Sequence, residues 1–322
     1  MRLALVLSSA LASWPASAGA HRIDLDGGRH TLEPVVRGPL AVLPVVADQI
    51  GPAPDVMTLD EASKAGTVKV EEVSQSGTVN RLVVTNRGRK PLLILAGEVV
   101  QGGKQDRILG QDTVLGPRER LEVQAFCVEH GRWNRQGSFE NAGEAANAKV
   151  RFEAKSGNQS GVWAEVDKKL ASTGATSETH TLRAATEKER GATEVARREL
   201  AAALDRLPAR DRSRIVGYVA SVSGKVVSVD TFAHPSLAAR YRSKLLRSYV
   251  LEAAGTAASL RPAAPAADEV AGLRRKLDAA KPAGQKDKRA GYLLESERGD
   301  DLVRSRVVGA HGEPLVDSIQ TR

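Results

Sequence analysis

The chain has 322 residues, of which 41% are hydrophobic and only 3% aromatic, and it carries a formal net charge of +8. That length and apolar content allow one large domain with a substantial core. Basic residues are interspersed with acidic ones, which argues against the concentrated stripe of a dedicated nucleic-acid binder, and no apolar run is long enough to form a transmembrane helix.

In chain order, Arg2 precedes a short apolar stretch and then small residues, Ala16-Ser17-Ala18 or Ala18-Gly19-Ala20. This pattern reads as an export signal over residues 1–20, so a periplasmic or secreted mature chain, soluble once the signal is removed, is expected. Residues 40–46 read as a first strand, 59–62 as the opening of a short helix, and 68–73 as a second strand. Residues 81–85 and 91–95 flank the turn-rich Asn86-Arg87-Gly88-Arg89 and read as a hairpin. Both arms are apolar on both faces, which implies a sheet covered on both sides. A second pairing is expected between 113–115 and 120–128, around Gly116-Pro117-Arg118-Glu119.

From residue 134 the spacing becomes helical, over 140–152, 161–170 and 192–207. Residues 214–220 and 226–232 form a returning hairpin around Ser223-Gly224-Lys225, and 237–254 a closing helix. Beyond Gly255 the composition turns Ala/Pro-rich and basic, with Arg274-Arg275-Lys276, Lys286, Lys288 and Arg289. Residues 256–322 therefore read as a solvated, partly disordered tail, with at most a short hairpin near 292–308. The expected class is α+β: an antiparallel β-rich N-terminal half packed with helices, then the returning hairpin and helix, in one domain over 40–254.

Cys127 is the single cysteine, so no internal disulfide forms. Leu121, Val123, Ala125 and Cys127 share one apolar strand face by period two, which predicts a buried, inert thiol. Cys127 and His130 lie three apart on a strand and point to opposite faces, against a thiol–imidazole pair. The six histidines show neither the two-His helical spacing nor a Cys-x-x-Cys partner, so no metal is expected, and no pattern names a cofactor.

The densest chemistry lies between Gly97 and Trp133. Two polar clusters, each following an apolar strand-like run, can fold back and bring Glu98, Gln105, Asp106, Arg107, Glu129 and Arg132 together. Charges beside buried strands must pair with each other or hold a ligand. Lys104 follows Gly102-Gly103 but precedes Gln105, so the segment is not a Walker phosphate loop. Gly102-Gly103 can still take left-handed angles and present N–H groups to an anion. In that reading Lys104, Arg107 and Arg132 hold the anionic part, Gln105 and Asp106 supply hydrogen bonds, and Trp133 forms an apolar wall. Glu98 and Glu129 are the candidate base and acid of a hydrolase; the alternative is that they neutralise Arg107 and Arg132.

Several pieces in order resemble a known family. They are Asn86-Arg87 before Pro91-Leu92-Leu93, Gly97-Glu98, Gly102 to Arg107, Cys127-Val128-Glu129-His130-Gly131-Arg132-Trp133, Val162-Trp163, Gly217-Tyr218-Val219 and Lys244 to Tyr249. Over residues 40–254 they are similar to the ARG and Rhodanese-Phosphatase-superfamily-associated protein domain family, which has no settled biochemical function. Asp106 stands where the resemblance leads one to expect an amide. The family takes its name from genomic association with ADP-ribosylglycohydrolases, and this implies an ADP-ribose-like or nucleotide ligand. The resulting expectation is an exported protein that binds a small anionic molecule. The alternatives are a hydrolase using Glu98 and Glu129, or a non-catalytic envelope module that meets a protein partner through the tail.

Overall fold

The computed structural model describes residues 22–25, 27–133, 138–256, 265–283, 286–310 and 312–322, so the expected export signal lies outside the described residues. The fold is α+β, with two antiparallel β-bodies, one closed and one open, and helices packed against both. The closed body is a six-stranded barrel, in the order Arg107–Leu109, Arg120–Cys127, Arg81–Asn86, Val68–Glu72, Phe139–Ala145, Glu98–Gly102 and back to the first. Period-two alternation sends Val70, Leu82, Val84, Val100, Leu109, Val123 and Ala125 into its interior with Phe139. The intervening Val99, Ile108 and Phe126 point outward. They pack on Val150 and Ala154 of helix Ala148–Lys155 and on Val162 and Val166 of helix Gln159–Thr173.

The open sheet is built around the returning hairpin, Ile215–Val222 and Lys225–Phe232. Strand Leu40–Ala47, buried along its whole length, pairs on one side of it, and Pro314–Thr321 pairs on the other. Helix Pro235–Ala253 covers one face through Tyr241, Leu245 and Tyr249, which meet Tyr218 and Phe232 of the hairpin.

Two expected hairpins do not form. Strand Arg81–Asn86 pairs with Arg120–Cys127 in the barrel, whereas Leu92–Ile94 pairs with Thr113–Leu115 in a separate small sheet. The four segments make one long antiparallel pair with a sideways step at 87–91 and 116–119. Asn86 holds the step. Its Nδ2 donates to the carbonyls of Lys90 (2.9 Å) and Gly116 (2.8 Å), and its Oδ1 accepts from the Gly88 N–H. Turn-type residues here change sheets instead of reversing the chain.

The expected helix over 140–152 is also corrected. Phe139–Ala145 closes the barrel against Glu98–Gly102, and the helix begins only at Ala148. The expectation of a partly disordered tail is corrected more extensively. Strands Tyr292–Arg298, Leu302–Val308 and Pro314–Thr321 extend the open sheet, and helix Ala267–Ala279 packs on it through Leu273. Val307, Leu315, Val316 and Ile319 are buried in its cores, and the basic run Arg274 to Lys276 lies on the exposed side of the helix.

A fully buried polar network joins the two bodies. Arg151 makes a bidentate pair with Asp230 (3.1 and 2.7 Å), which also accepts from Ser228, Tyr249 and Ser318. Burial pushes the Asp230 carboxyl up, but the facing Arg151 outweighs it and holds the group far below its usual range. Every Asp230 oxygen is satisfied, so this network positions the bodies and offers no open chemistry.

Candidate functional site

The two ends of the barrel interior are polar, and they hold different residues from those the linear sequence groups together. At one end Arg107 pairs across the ladder with Cys127, and its side chain is wholly buried. Its Nη1 donates to the Cys127 sulfur, and its Nη2 lies 3.5 Å from Glu72 Oε1. Nε and Nη2 have no hydrogen-bond acceptor among the described residues, and neither the buried Glu72 Oε2 nor the buried Gln105 Oε1 has a donor there. The Trp133 ring, 42% exposed, covers this end, with its centroid 5.3 Å from the Arg107 guanidinium and 5.7 Å from the Lys104 ammonium. Burial raises the Cys127 thiol to about 11 despite Arg107, so the sulfur stays protonated and inert.

The Gly102-Gly103 turn leads into this end. Both glycines have positive φ (117° and 49°), and a side chain at Gly103 would strike the Phe139 ring. Two of the turn's donors are already engaged by the protein's own carboxylates. Gly102 N–H donates to Asp106 Oδ1 (3.0 Å), and Lys104 N–H donates to Glu72 Oε1 (3.1 Å).

Arg132 is similarly committed. Its Nε and Nη2 clasp the Glu129 carboxylate (3.0 and 2.7 Å), while Nη1 donates to the Gly103 carbonyl (2.9 Å). Glu129 also accepts the Asp106 N–H. Burial works to raise the Glu129 carboxyl, but hydrogen bonds from Arg132, Asp106 and Thr179 leave it below its usual range. Burial does raise the Asp106 carboxyl, which faces Arg132 and, at 3.5 Å, Arg183. Asp106 Oδ1 accepts from Gly102 N–H and Arg132, and its Oδ2 faces Arg183 as an ion pair, so two guanidiniums favour a carboxylate at the position where an amide is expected.

Glu98 belongs to the other end. It is fully buried, accepts the Leu95 N–H (2.8 Å) and pairs with Lys244, which also donates to Asp60 (2.8 Å). Two carboxylates around one ammonium overcome its burial and raise Lys244, whereas burial raises Glu98 itself. Glu98 and Glu129 share no hydrogen-bond partner: Glu98 is locked onto Lys244 and Glu129 onto Arg132.

Sequence reasoning missed Glu72 and Gln159. Glu72 ends the strand Val68–Glu72 on the same inward face as Val70, and period two alone could have found it. Gln159 grips the Cys127 peptide from both sides (2.8 and 2.9 Å) from the first turn of its helix, 32 residues away, and nothing local announces that contact.

Among the described residues, no group of three or more His, Cys, Asp or Glu could hold a metal, and no helix is long and apolar enough to cross a membrane. No curated protein matches this chain. A family model does match, over residues 29–314, which takes in the barrel, its helices and the open sheet as far as the start of the last strand. The chain therefore belongs to the ARG and Rhodanese-Phosphatase-superfamily-associated Protein domain family.

Proposed function

We propose that this protein binds a small anionic ligand carrying hydrogen-bonding hydroxyl or amine groups, at the Arg107 end of the barrel. The observation that supports the reading is the wholly buried guanidinium whose Nε and Nη2, the latter ion-paired with Glu72, make no hydrogen bond among the described residues, together with a buried Glu72 oxygen and a buried Gln105 oxygen that have no donor among them. An unsatisfied buried polar atom costs about 1–3 kcal/mol, so four together are a burden that a ligand would relieve. In this reading Arg107 and Lys104 hold the anionic group, and Gln105 and Glu72 accept from the ligand's donors. Trp133 is the wall that moves aside. Gly102, Gly103, Asp106, Glu129 and Arg132 shape the turn and do not touch the ligand. An ADP-ribose-like or nucleotide molecule, the class implied by the family resemblance, carries both kinds of group.

The test is a thermal-shift screen of the exported form, taken from residue 21, against nucleotides, ADP-ribose and sugar phosphates. A ligand at about 100 times its dissociation constant stabilises the fold by about 2.7 kcal/mol. A shift seen with wild type and lost in Arg107→Met supports the proposal. A shift that persists in Arg107→Met places the ligand elsewhere and overturns it.

A further inference from the structure

A cleft of about 380 Å³ lies outside the barrel end described above, between helix Leu182–Asp205, helix Pro235–Ala253 and the end of strand Phe139–Ala145. Its size is within the range of small-molecule sites. Thr186, Arg190, Thr193, Glu194 and Arg198 line it from one face of the first helix, and Arg247 faces them from the second.

A bulge delivers the remaining polar group. The strand register shifts between Asn141 and Ala145, where Gly143 takes a positive φ of 67° and donates its N–H to Asn141 Oδ1. This irregularity turns Glu144 into the cleft, and re-aiming a side chain is a recurrent use of bulges beside sites.

The polar groups of the cleft fall into two sets. Glu194 is engaged by Arg197, Arg198 and Arg247, and Arg247 also donates to the Gly143 carbonyl and the Ser243 hydroxyl. These contacts set the frame. In contrast, the side chains of Glu144 and Arg190 make neither a hydrogen bond nor an ion pair among the described residues, and only attract each other at longer range. Thr193 is 7% exposed, and its hydroxyl has no partner among the described residues, although Thr186, two turns earlier on the same face, donates to the Leu182 carbonyl. A buried hydroxyl, a half-buried carboxyl and an exposed guanidinium without a salt bridge thus line one cleft. Burial raises the Glu144 carboxyl, against the opposing pull of Arg190 and Arg247.

We propose that this cleft is a second ligand site, for a small anion bearing hydroxyl groups. Arg190 takes the phosphate or carboxylate end, supported by the outer edge of Arg247, and Glu144 and Thr193 bind the hydroxyls. A planar guanidinium suits either oxyanion, and a carboxyl and a threonine hydroxyl suit a polyol.

The test is isothermal titration of the full chain with glucose 6-phosphate, gluconate, glucose and inorganic phosphate. At least one of the two hydroxylated anions is expected to bind more tightly than glucose or phosphate. The identity of that anion tells which oxyanion the cleft prefers. Arg190→Ala should weaken binding about tenfold. Thr193→Val should weaken it several-fold without lowering the melting temperature, since it removes only an unpartnered hydroxyl. Binding that survives Arg107→Met and is weakened by Arg190→Ala belongs to this cleft, which separates it from the barrel end. Binding of no probe at 10 mM, equal affinity for phosphate and for the hydroxylated anions, or indifference to Arg190→Ala would overturn the proposal.

Discussion

Replacing Arg132 by alanine probes the reassignment of this residue from ligand contact to architectural clasp. The substitution removes a bidentate grip on Glu129 and a bond to the Gly103 carbonyl, at 3.0, 2.7 and 2.9 Å. It leaves Glu129, 2% exposed, with no facing guanidinium. Breaking a buried pair on one side costs about 3–5 kcal/mol, and because the Arg132 side chain keeps 15% exposure, solvent recovers part of this. A loss of about 3 kcal/mol is expected, a large share of a typical domain's 5–15 kcal/mol. Urea denaturation at pH 7 measures it directly. The pH dependence supplies a second check. Because the folded Glu129 carboxyl lies below its unfolded value of 4.5, its contribution is present above that value and is lost as pH falls through the folded one. The gap between wild type and Arg132→Ala should therefore narrow as pH falls below 4.5 and through the folded value. A loss under about 0.5 kcal/mol at pH 7, the range of an ordinary surface substitution, would refute the reasoning.

Further outcomes follow from the rest of the structure. Burial lowers the Lys155 ammonium from 10.5 to about 8. The unfolded chain then binds more protons between those values, so stability should rise by about 1 kcal/mol from pH 7 to 9, and Lys155→Met should abolish that rise. Paired denaturation curves at the two pH values check this. At Gly97, φ is +100° and a Cβ would lie 2.5–2.7 Å from the Arg151 side chain, itself pinned by Asp230. Gly97→Ala should therefore cost about 3 kcal/mol or more, read as a drop in the denaturation midpoint. Removing residues 286–322 strips Leu302, Val303, Val307, Leu315, Val316 and Ile319, all under 5% exposed, from the open sheet. At about 1.5–3 kcal/mol each, the loss rivals the whole stability. The truncated chain should show no cooperative melt, whereas a wild-type melt would show that the segment is a dispensable tail.

The parts of the fold that could be read in the sequence are those in which one segment carries its own signal. The hairpin around Ser223-Gly224-Lys225 and the helix after it stand close to where period and turn residues put them. The inward face of Val123, Ala125 and Cys127 also follows from alternation alone. What was missed depends on distant partners. Asn86 turns two apparent hairpins into one stepped pair only because the Gly116 carbonyl lies within reach. The last three strands look like a polar tail until Ser318 is seen on Asp230, 88 residues earlier. At the site, the clustering of Gln105, Asp106, Arg107, Glu129, Arg132 and Trp133 was legible because their strands are neighbours. The departure of Glu98 to Lys244, 146 residues away, was not.

The most direct test of the central claim is the affinity of wild type and Arg107→Met for the strongest ligand from the screen, measured by titration at fixed salt. The account predicts at least a thirtyfold weakening, about 2 kcal/mol, with the Arg107→Met protein still folding cooperatively. Equal affinity in the two proteins would contradict it, and would make the incompletely hydrogen-bonded Arg107 guanidinium a feature of the fold alone.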